Sequence, residues 1–481
     1  MRGWLLPALL CTLAGCQPAD RTNLLFISID TLRADHVRAY GYERSTSPNL
    51  DRLAREGALF ETMVAESSWT LPSHTTLFTG RSSRVHGVVH DGAKLGPQHP
   101  TLAERLRRAG YRTEGIASAP YLHPIFGFDR GFERYRVLGE TVYDLEGFSR
   151  RRQATDPTWR RRSQEHDLAS HRTVTSPDLV SHVGEALERL QDEPFFLFVH
   201  FFDAHFDYTP PEDYWRRFDP DYDGDFDPVG FATNPKVYPG MPREELEHVV
   251  ARYDGEILWT DEHVGRVLDA LDERGLSDRT LVVVVSDHGE EFFEHGRVGH
   301  RRTLFDEQLL VPFLMRLPGR IPAGRRLAMQ TRMIDVLPTV LDLLELPPEP
   351  EDMGRSLLPY LLGHEPEEDL PALSYLRLPT RYSLVSLRRP EWKLVVRKGE
   401  RAGVPDRARF YDLTADPDER EFRVEPEALA EALRELEALS AEEAAVLERT
   451  GGSGSLAVEL PDSMRRALEA LGYVQEEDAS P

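Results

Sequence analysis

TLVVVVSDHGE, Thr280 to Glu290, decides how the chain is read. Thr280 to Val285 is an apolar run of the kind a strand needs when both its faces are covered. It ends at Asp287 and His288, an adjacent pair able to ligate a metal where a strand stops. NLLFISI, Asn23 to Ile29, repeats the pattern and stops at Asp30. Pro194 to Val199 and Leu310 to Met315 read as further buried strands, among helical patterns at Thr101 to Ala109, Pro177 to Leu190 and Arg243 to Arg274. Strands alternating with helices predict an α/β layer fold, in which reacting groups gather beyond the strand ends. From Leu370 the pattern changes to short strands at Tyr382 to Leu387, Trp392 to Arg397 and Arg409 to Leu413, then a charged helical tail from Glu425. That predicts a smaller α+β unit over 370–481. GGSGS, Gly451 to Ser455, reads as a flexible break in the tail, and Ser463 to Leu471 as a last helix.

Lys and Arg total 58 against 82 Asp and Glu, a formal charge of −24, which repels a polyanion and argues against nucleic acid as a partner. No feature points to a protein partner. An acidic chain can still act on an anionic ester where a bound metal reverses the local field. Cys11 and Cys16 are the only cysteines, so no disulfide framework exists. Both lie in MRGWLLPALLCTLAGC, too short to span a bilayer and patterned as a secretion signal. LAGC resembles the lipobox of bacterial lipoproteins. That resemblance implies a signal peptide over 1–15, lipidation of Cys16, a tether over 16–22 and an extracytoplasmic, lipid-anchored protein of the bacterial periplasm or outer membrane. Arg150 to Arg152 and Arg160 to Arg162 read as a solvated loop, and the acidic FDPDYDGDFD, Phe218 to Asp227, likewise, because Gly230 stands where an EF-hand loop needs glutamate.

SWTLPSHTTLFTGR, Ser68 to Arg81, concentrates hydroxyls around a proline and a histidine, with a helix expected to begin near Pro72 or Ser73. Thr70-Leu71-Pro72-Ser73-His74, followed by Leu77, Thr79 and Gly80, is similar to the sulfatase signature Cys/Ser-x-Pro-Ser-Arg-x-x-Leu-x-Thr-Gly, with Thr70 at the nucleophile position. NLLFISIDTLRADHVRAYGY, TLAERLRRAGYRT, DAHFDYTPP, SDHGE, LFDEQLLVPF and FYDLTADPDE extend the resemblance over most of the chain. The chain thus resembles the sulfatase family of the alkaline phosphatase superfamily. The resemblance implies a sulfatase-like catalytic domain over 23–369, its large sheet flanked by helices on both faces, and a smaller C-terminal domain with an antiparallel sheet.

It also implies Asp30, Thr70, Asp287 and His288 as ligands of one divalent metal ion, Thr70 as the metal-bound nucleophile, and His205 and His300 as proton donors to the leaving group. Ser73, His74 and Arg81 fall in supporting positions. Two departures stand out. Threonine cannot be oxidised to the formylglycine aldehyde on which sulfatases depend, and His74 replaces their arginine. Thr31 stands where many sulfatases have a second aspartate, and His288 where they have asparagine. Adding an imidazole and losing a carboxylate favours zinc or manganese over calcium or magnesium. The expected activity is hydrolysis of phosphate esters. Hydrolysis of sulfuric esters, transfer of a phospho-headgroup in the cell envelope, and a non-catalytic binding lipoprotein are the alternatives.

Overall fold

A computed structural model of the protein describes residues 21–138 and 176–461, apart from 229–230, 232–233, 367, 379–381, 400–405 and 424, together with 464, 465 and 468. The signal stretch, Cys16, both arginine runs and nearly all of the expected last helix lie outside the described residues.

The strands, in chain order, are β1 (Asn23–Ile29), β2 (Ala58–Val64), β3 (Ala93–Lys94), β4 (Arg112–Ala117), β5 (Arg134–Val137), β6 (Phe195–Phe201), β7 (Thr280–Ser286) and β8 (Glu291–Phe292). They continue with β9 (Val298–Gly299), β10 (Leu310–Arg316), β11 (Arg325–Arg332), β12 (Ala372–Arg377), β13 (Tyr382–Arg388), β14 (Trp392–Gly399), β15 (Arg407–Asp412) and β16 (Leu456–Ala457). Eight form the large sheet, in the order β11-β2-β10-β7-β1-β6-β4-β5. Side chains of β1 alternate between two apolar layers: Leu24 and Phe26 join one, Leu25 and Ile27 the other. The first layer holds the helices Thr70–Thr79, Leu102–Arg108 and Val336–Leu343; the second holds Pro48–Glu56, Ser176–Leu190 and Arg243–Glu273. Covering on both faces is why these strands read as unbroken apolar runs. Thr101 caps its helix through a reciprocal bond pair with Glu104, which fixes the start predicted there.

β1 lies between β6 and β7, parallel to both, with Ile29 opposite Phe201 and Ser286. Asp30, the residues after Phe201, and Asp287 therefore emerge together at one edge, beyond the carboxyl ends of the parallel strands, where open α/β sheets place their sites. β10 runs antiparallel to β7 and β2. Its entrance consequently meets the exit of β7, where Gly289 N donates to Gln308 O (2.9 Å) and Glu290 N to Glu307 O (3.1 Å).

β12 to β15 form the smaller antiparallel sheet, packed against the helix Pro426–Arg449. It docks on the chain leading into the Thr70 helix: Tyr375 N donates to Glu66 O, Ser374 Oγ to Ala65 O, and Ser67 Oγ to Tyr375 O. Lys393 Nζ, fully buried, reaches Asp306 (2.8 Å) and Glu419 (3.0 Å), so LFDEQ and DPDE meet across the two sheets.

Three expectations change. The helix at the nucleophile position starts at Thr70, not near Pro72 or Ser73, because Pro72 fits the first turn, where its missing N–H costs nothing. GGSGS is docked instead of hanging free: His99 Nε2 bonds Ser453 O (2.7 Å), and β16 pairs with β3. The end of the expected tether is also fixed, with Arg21 on Ala109 O and Tyr111 OH donating to Thr22 O (3.0 Å). Among the described residues no helix is long and apolar enough to cross a membrane.

Candidate active site

Asp30 and Asp287 leave adjacent parallel strands, and the Thr70–Thr79 helix points its first turn at the same edge. Thr70 Oγ1 stands 3.4 Å from Asp30 Oδ2 and 3.4 Å from His288 Nε2. His288 Nε2 is 3.6 Å from Asp30 Oδ1 and 3.4 Å from Asp287 Oδ2. All four side chains are buried. The structure thus brings the expected ligands into one cluster. Thr31 is not part of it: its Oγ1 donates to Ala204 O (2.8 Å), and its backbone takes a φ of 52°, unusual for a β-branched residue.

The donor set fits a divalent cation. Asp30 Oδ1 and Asp287 Oδ2 are buried and accept no hydrogen bond. His288 Nδ1 faces Gly289 O (3.0 Å), which makes that nitrogen the donor and leaves the Nε2 lone pair toward the carboxylates. Burial pushes Asp30 up to about 7 and also raises Asp287, whose neighbour Asp30 adds repulsion. Burial alone would lower His288, but Asp287 and Asp30 overcome it and raise the imidazole. A dication relieves this crowding of negative charge.

A second acidic group, Glu291, His295 and Glu307, does not resemble such a site. His295 spends both ring nitrogens on Glu307 Oε1 (2.6 Å) and Glu419 O (3.2 Å), and Glu291 accepts bonds at both oxygens.

His300 packs on His288 at a ring separation of 4.5 Å, and His205 on His300 at 4.9 Å, so both expected proton donors border the cluster. His300 Nδ1 lies 3.1 Å from Glu290 Oε1, and Tyr208 OH donates to Glu290 Oε2 (3.0 Å). Burial pushes Glu290 up to about 8 and lowers His300, with the His288 charge adding to the latter. His205 Nδ1 faces Phe206 O (2.6 Å).

The supporting positions divide. His74 joins Ser28 Oγ (2.8 Å) to Thr70 O (3.0 Å) and stands 3.4 Å from Asp287 Oδ2. Ser73 Oγ donates to Ser67 O (3.0 Å), bracing the turn before the helix. Arg81 lies beyond the other end of the helix, buried against Glu351 O, away from the reacting edge.

Glu290, Tyr208 and Arg301 were not singled out from the sequence. Arg301 lies over the Trp69 ring at 4.0 Å and pairs with both oxygens of Asp91 at 2.7 Å. Its backbone N donates to Ser68 O (2.9 Å), tying the residue after His300 to the residues before Thr70. Its place directly after His300 was the signal available for it.

Residues 22–346 match the family model described as Sulfatase, and 293–443 that described as N-sulphoglucosamine sulphohydrolase, C-terminal. An N-acetylglucosamine-6-O-sulfatase of Bacteroides thetaiotaomicron is 23% identical over 498 aligned positions, covering 86% of each chain. A multifunctional alkaline phosphatase superfamily protein, PehA, of Trinickia caryophylli is 26% identical over 470, covering 83% of this chain and 90% of its own. The crystal structure of a phosphonate monoester hydrolase of Agrobacterium radiobacter superposes with a TM-score of 0.70 at 25% identity, covering 89% of this chain and 96% of that one. The family match runs from β1 past the Val336–Leu343 helix and contains every member of the buried cluster, and the chain therefore belongs to the sulfatase family of ester hydrolases.

Proposed function

We propose that this chain hydrolyses phosphate or phosphonate esters through Thr70. The observation that carries the reading is a threonine hydroxyl, not a formylglycine precursor, 3.4 Å from both Asp30 Oδ2 and His288 Nε2. Asp30, Thr70, Asp287 and His288 would hold a divalent ion, zinc or manganese by the donor set, which when bound makes the hydroxyl more acidic and draws charge from the ester.

Asp30 Oδ2 receives the Thr70 proton as Oγ1 bonds to phosphorus and the ester oxygen departs. That oxygen takes a proton from His300 or His205, with His300 and Glu290 sharing a proton across their 3.1 Å contact. Water then attacks phosphorus and gives up a proton to the histidine that had protonated the leaving group, while the Thr70 oxygen leaves and recovers its own proton from Asp30. No residue in this cycle has to become an aldehyde. The first-turn amides of the Thr70 helix face the developing negative charge.

Sulfuric ester hydrolysis is the second reading, favoured by sulfatases such as the Bacteroides relative. The extracytoplasmic, lipid-anchored location expected from Cys16 belongs to the proposal as well. Metal-loaded protein is assayed on p-nitrophenyl phosphate, bis-p-nitrophenyl phosphate, a phenylphosphonate ester and p-nitrophenyl sulfate, beside Thr70→Ala. Phosphorus ester turnover that falls ~10³-fold or more in Thr70→Ala supports the proposal. Turnover of the sulfate alone reverses it, and wild type that binds metal but turns over none of the four favours a binding role.

A further inference from the structure

His200, at the end of β6, is fully buried and, among the described residues, has no hydrogen-bond partner at either ring nitrogen. Its Nε2 stands 3.4 Å from Asp30 Oδ2. A buried imidazole without partners is costly, by ~1–3 kcal/mol, and persists where the site uses it. Ser118 Oγ holds its backbone carbonyl, which fixes where the ring begins.

The other carboxylate has a matching neighbour. His74 Nδ1 stands 3.4 Å from Asp287 Oδ2. Because Nδ1 also faces the Thr70 carbonyl at 3.0 Å, it carries the hydrogen, and Nε2 accepts from Ser28 Oγ at 2.8 Å. The two rings touch edge to face at 5.0 Å. Each carboxylate of the cluster therefore has its own buried imidazole behind it, and the two imidazoles brace one another.

We propose that His200 and His74 are a pair of positioning residues that hold Asp30 and Asp287 for a bound divalent cation, His200 through Nε2 and His74 by packing its ring against Asp287 while its Nδ1 hydrogen stays on the Thr70 carbonyl. The inference rests on the metal-binding reading above.

Removing such outer partners typically weakens metal binding by ~10–100-fold. The test is zinc affinity of the full chain by competition with a chromophoric chelator. His200→Phe, a ring of similar size without nitrogens, is expected to bind zinc at least ~10-fold more weakly. His200→Gln, whose amide N–H reaches about as far as Nε2–H, is expected within ~3-fold of wild type. His86→Phe is the structural control. That histidine is buried on the helix following the Thr70 helix and bonds Thr76 Oγ1 and Val88 N, so its loss lowers stability and leaves zinc affinity unchanged.

Should His200→Phe fail to fold, ¹⁵N-histidine spectra of wild type decide. Zinc is expected to move the imidazole resonances that vanish in His200→Gln and His74→Asn, and to leave that of His86 in place. Zinc-bound wild type with unmoved resonances, or His200→Phe that folds and binds as wild type does, overturns the inference alone. Wild type that binds no zinc overturns the metal reading and this inference with it.

Discussion

Gly289→Ala probes how rigidly the loop carrying Asp287 and His288 is held. A Cβ there would fall well inside contact distance of the Glu307 carbonyl oxygen, 3.1 Å from its carbonyl carbon and 3.2 Å from Arg33 Cγ. Main chain cannot rotate aside as a side-chain tip can. The loop must withdraw from the entrance of β10, which stretches Gly289 N to Gln308 O and Glu290 N to Glu307 O, now 2.9 and 3.1 Å. Two backbone bonds at ~1 kcal/mol each, together with the residual crowding, put the loss of folding free energy at ~3 kcal/mol. A ligand pair displaced by ~1 Å also lowers kcat/KM by about 10²-fold. Gly184→Ala supplies the opposite sign. It lies inside the Ser176–Leu190 helix with nothing within 4 Å of its Cβ position, so alanine is expected to stabilise by up to ~1 kcal/mol. Urea midpoints followed by circular dichroism, with turnover of bis-p-nitrophenyl phosphate by metal-loaded protein, measure both effects. Gly289→Ala within about 0.5 kcal/mol of wild type and at full turnover would refute the view that these ligands are locked by backbone contact.

Burial alone would lower His295, but Glu307 raises it to about 9. Its stabilisation is therefore complete below pH 6.5 and lost as pH rises through 9. His295→Gln should flatten that limb of the stability profile by roughly 1–2 kcal/mol after allowance for solvent screening, as read from urea midpoints between pH 6 and 10. Lys393→Met leaves the buried Glu419 without its cation, while Asp306 keeps Arg388, and should cost ~3–5 kcal/mol, seen as a lowered melting temperature; an unchanged one would show the cluster to be dispensable. Thr70→Ser keeps a hydroxyl but frees it among three rotamers, a cost near RT ln 3, so kcat should fall only ~3-fold where Thr70→Ala nearly abolishes it. Cys16→Ala, expressed in a bacterium with lipoprotein processing, should lose palmitate labelling and move from the membrane to the soluble fraction; labelling that persists would remove the lipid-anchor expectation.

Much of the fold was legible because the central strands are covered on both faces. TLVVVV and NLLFISI are almost wholly apolar, with Ser28 the one polar residue inside either run, and each leads to an aspartate at the sheet edge. β12 was missed because Ala372 to Arg377 alternates in burial and, among the described residues, pairs with β13 alone at the edge of its sheet. The docking of GGSGS was invisible because glycine composition reports backbone freedom, not the Gly87 and Gly96 surfaces that Ser453 and Gly454 press against. At the site, strand ends pointed to Asp30, Asp287 and His288, and the resemblance to the sulfatase signature pointed to Thr70; the structure brings the four side chains together. His200 and Glu290 were not assigned roles, because what distinguishes them is a direction in space: one ring nitrogen toward Asp30, one carboxylate toward His300. Arg81 and Arg301 illustrate the same limit. Arg81 closes the stretch that holds Thr70 and Arg301 follows His300, yet one braces the far end of a helix and the other lies against Trp69.

The contacts of β12 with residues 65 to 67 give the smaller sheet a consequence for how the enzyme can be divided. Ser374, Tyr375 and Ser67 stitch it to the three residues that immediately precede the Ser68-Trp69-Thr70 turn. A chain ending before residue 370 would keep Asp30, Thr70, Asp287 and His288 and lose the buttress behind Thr70.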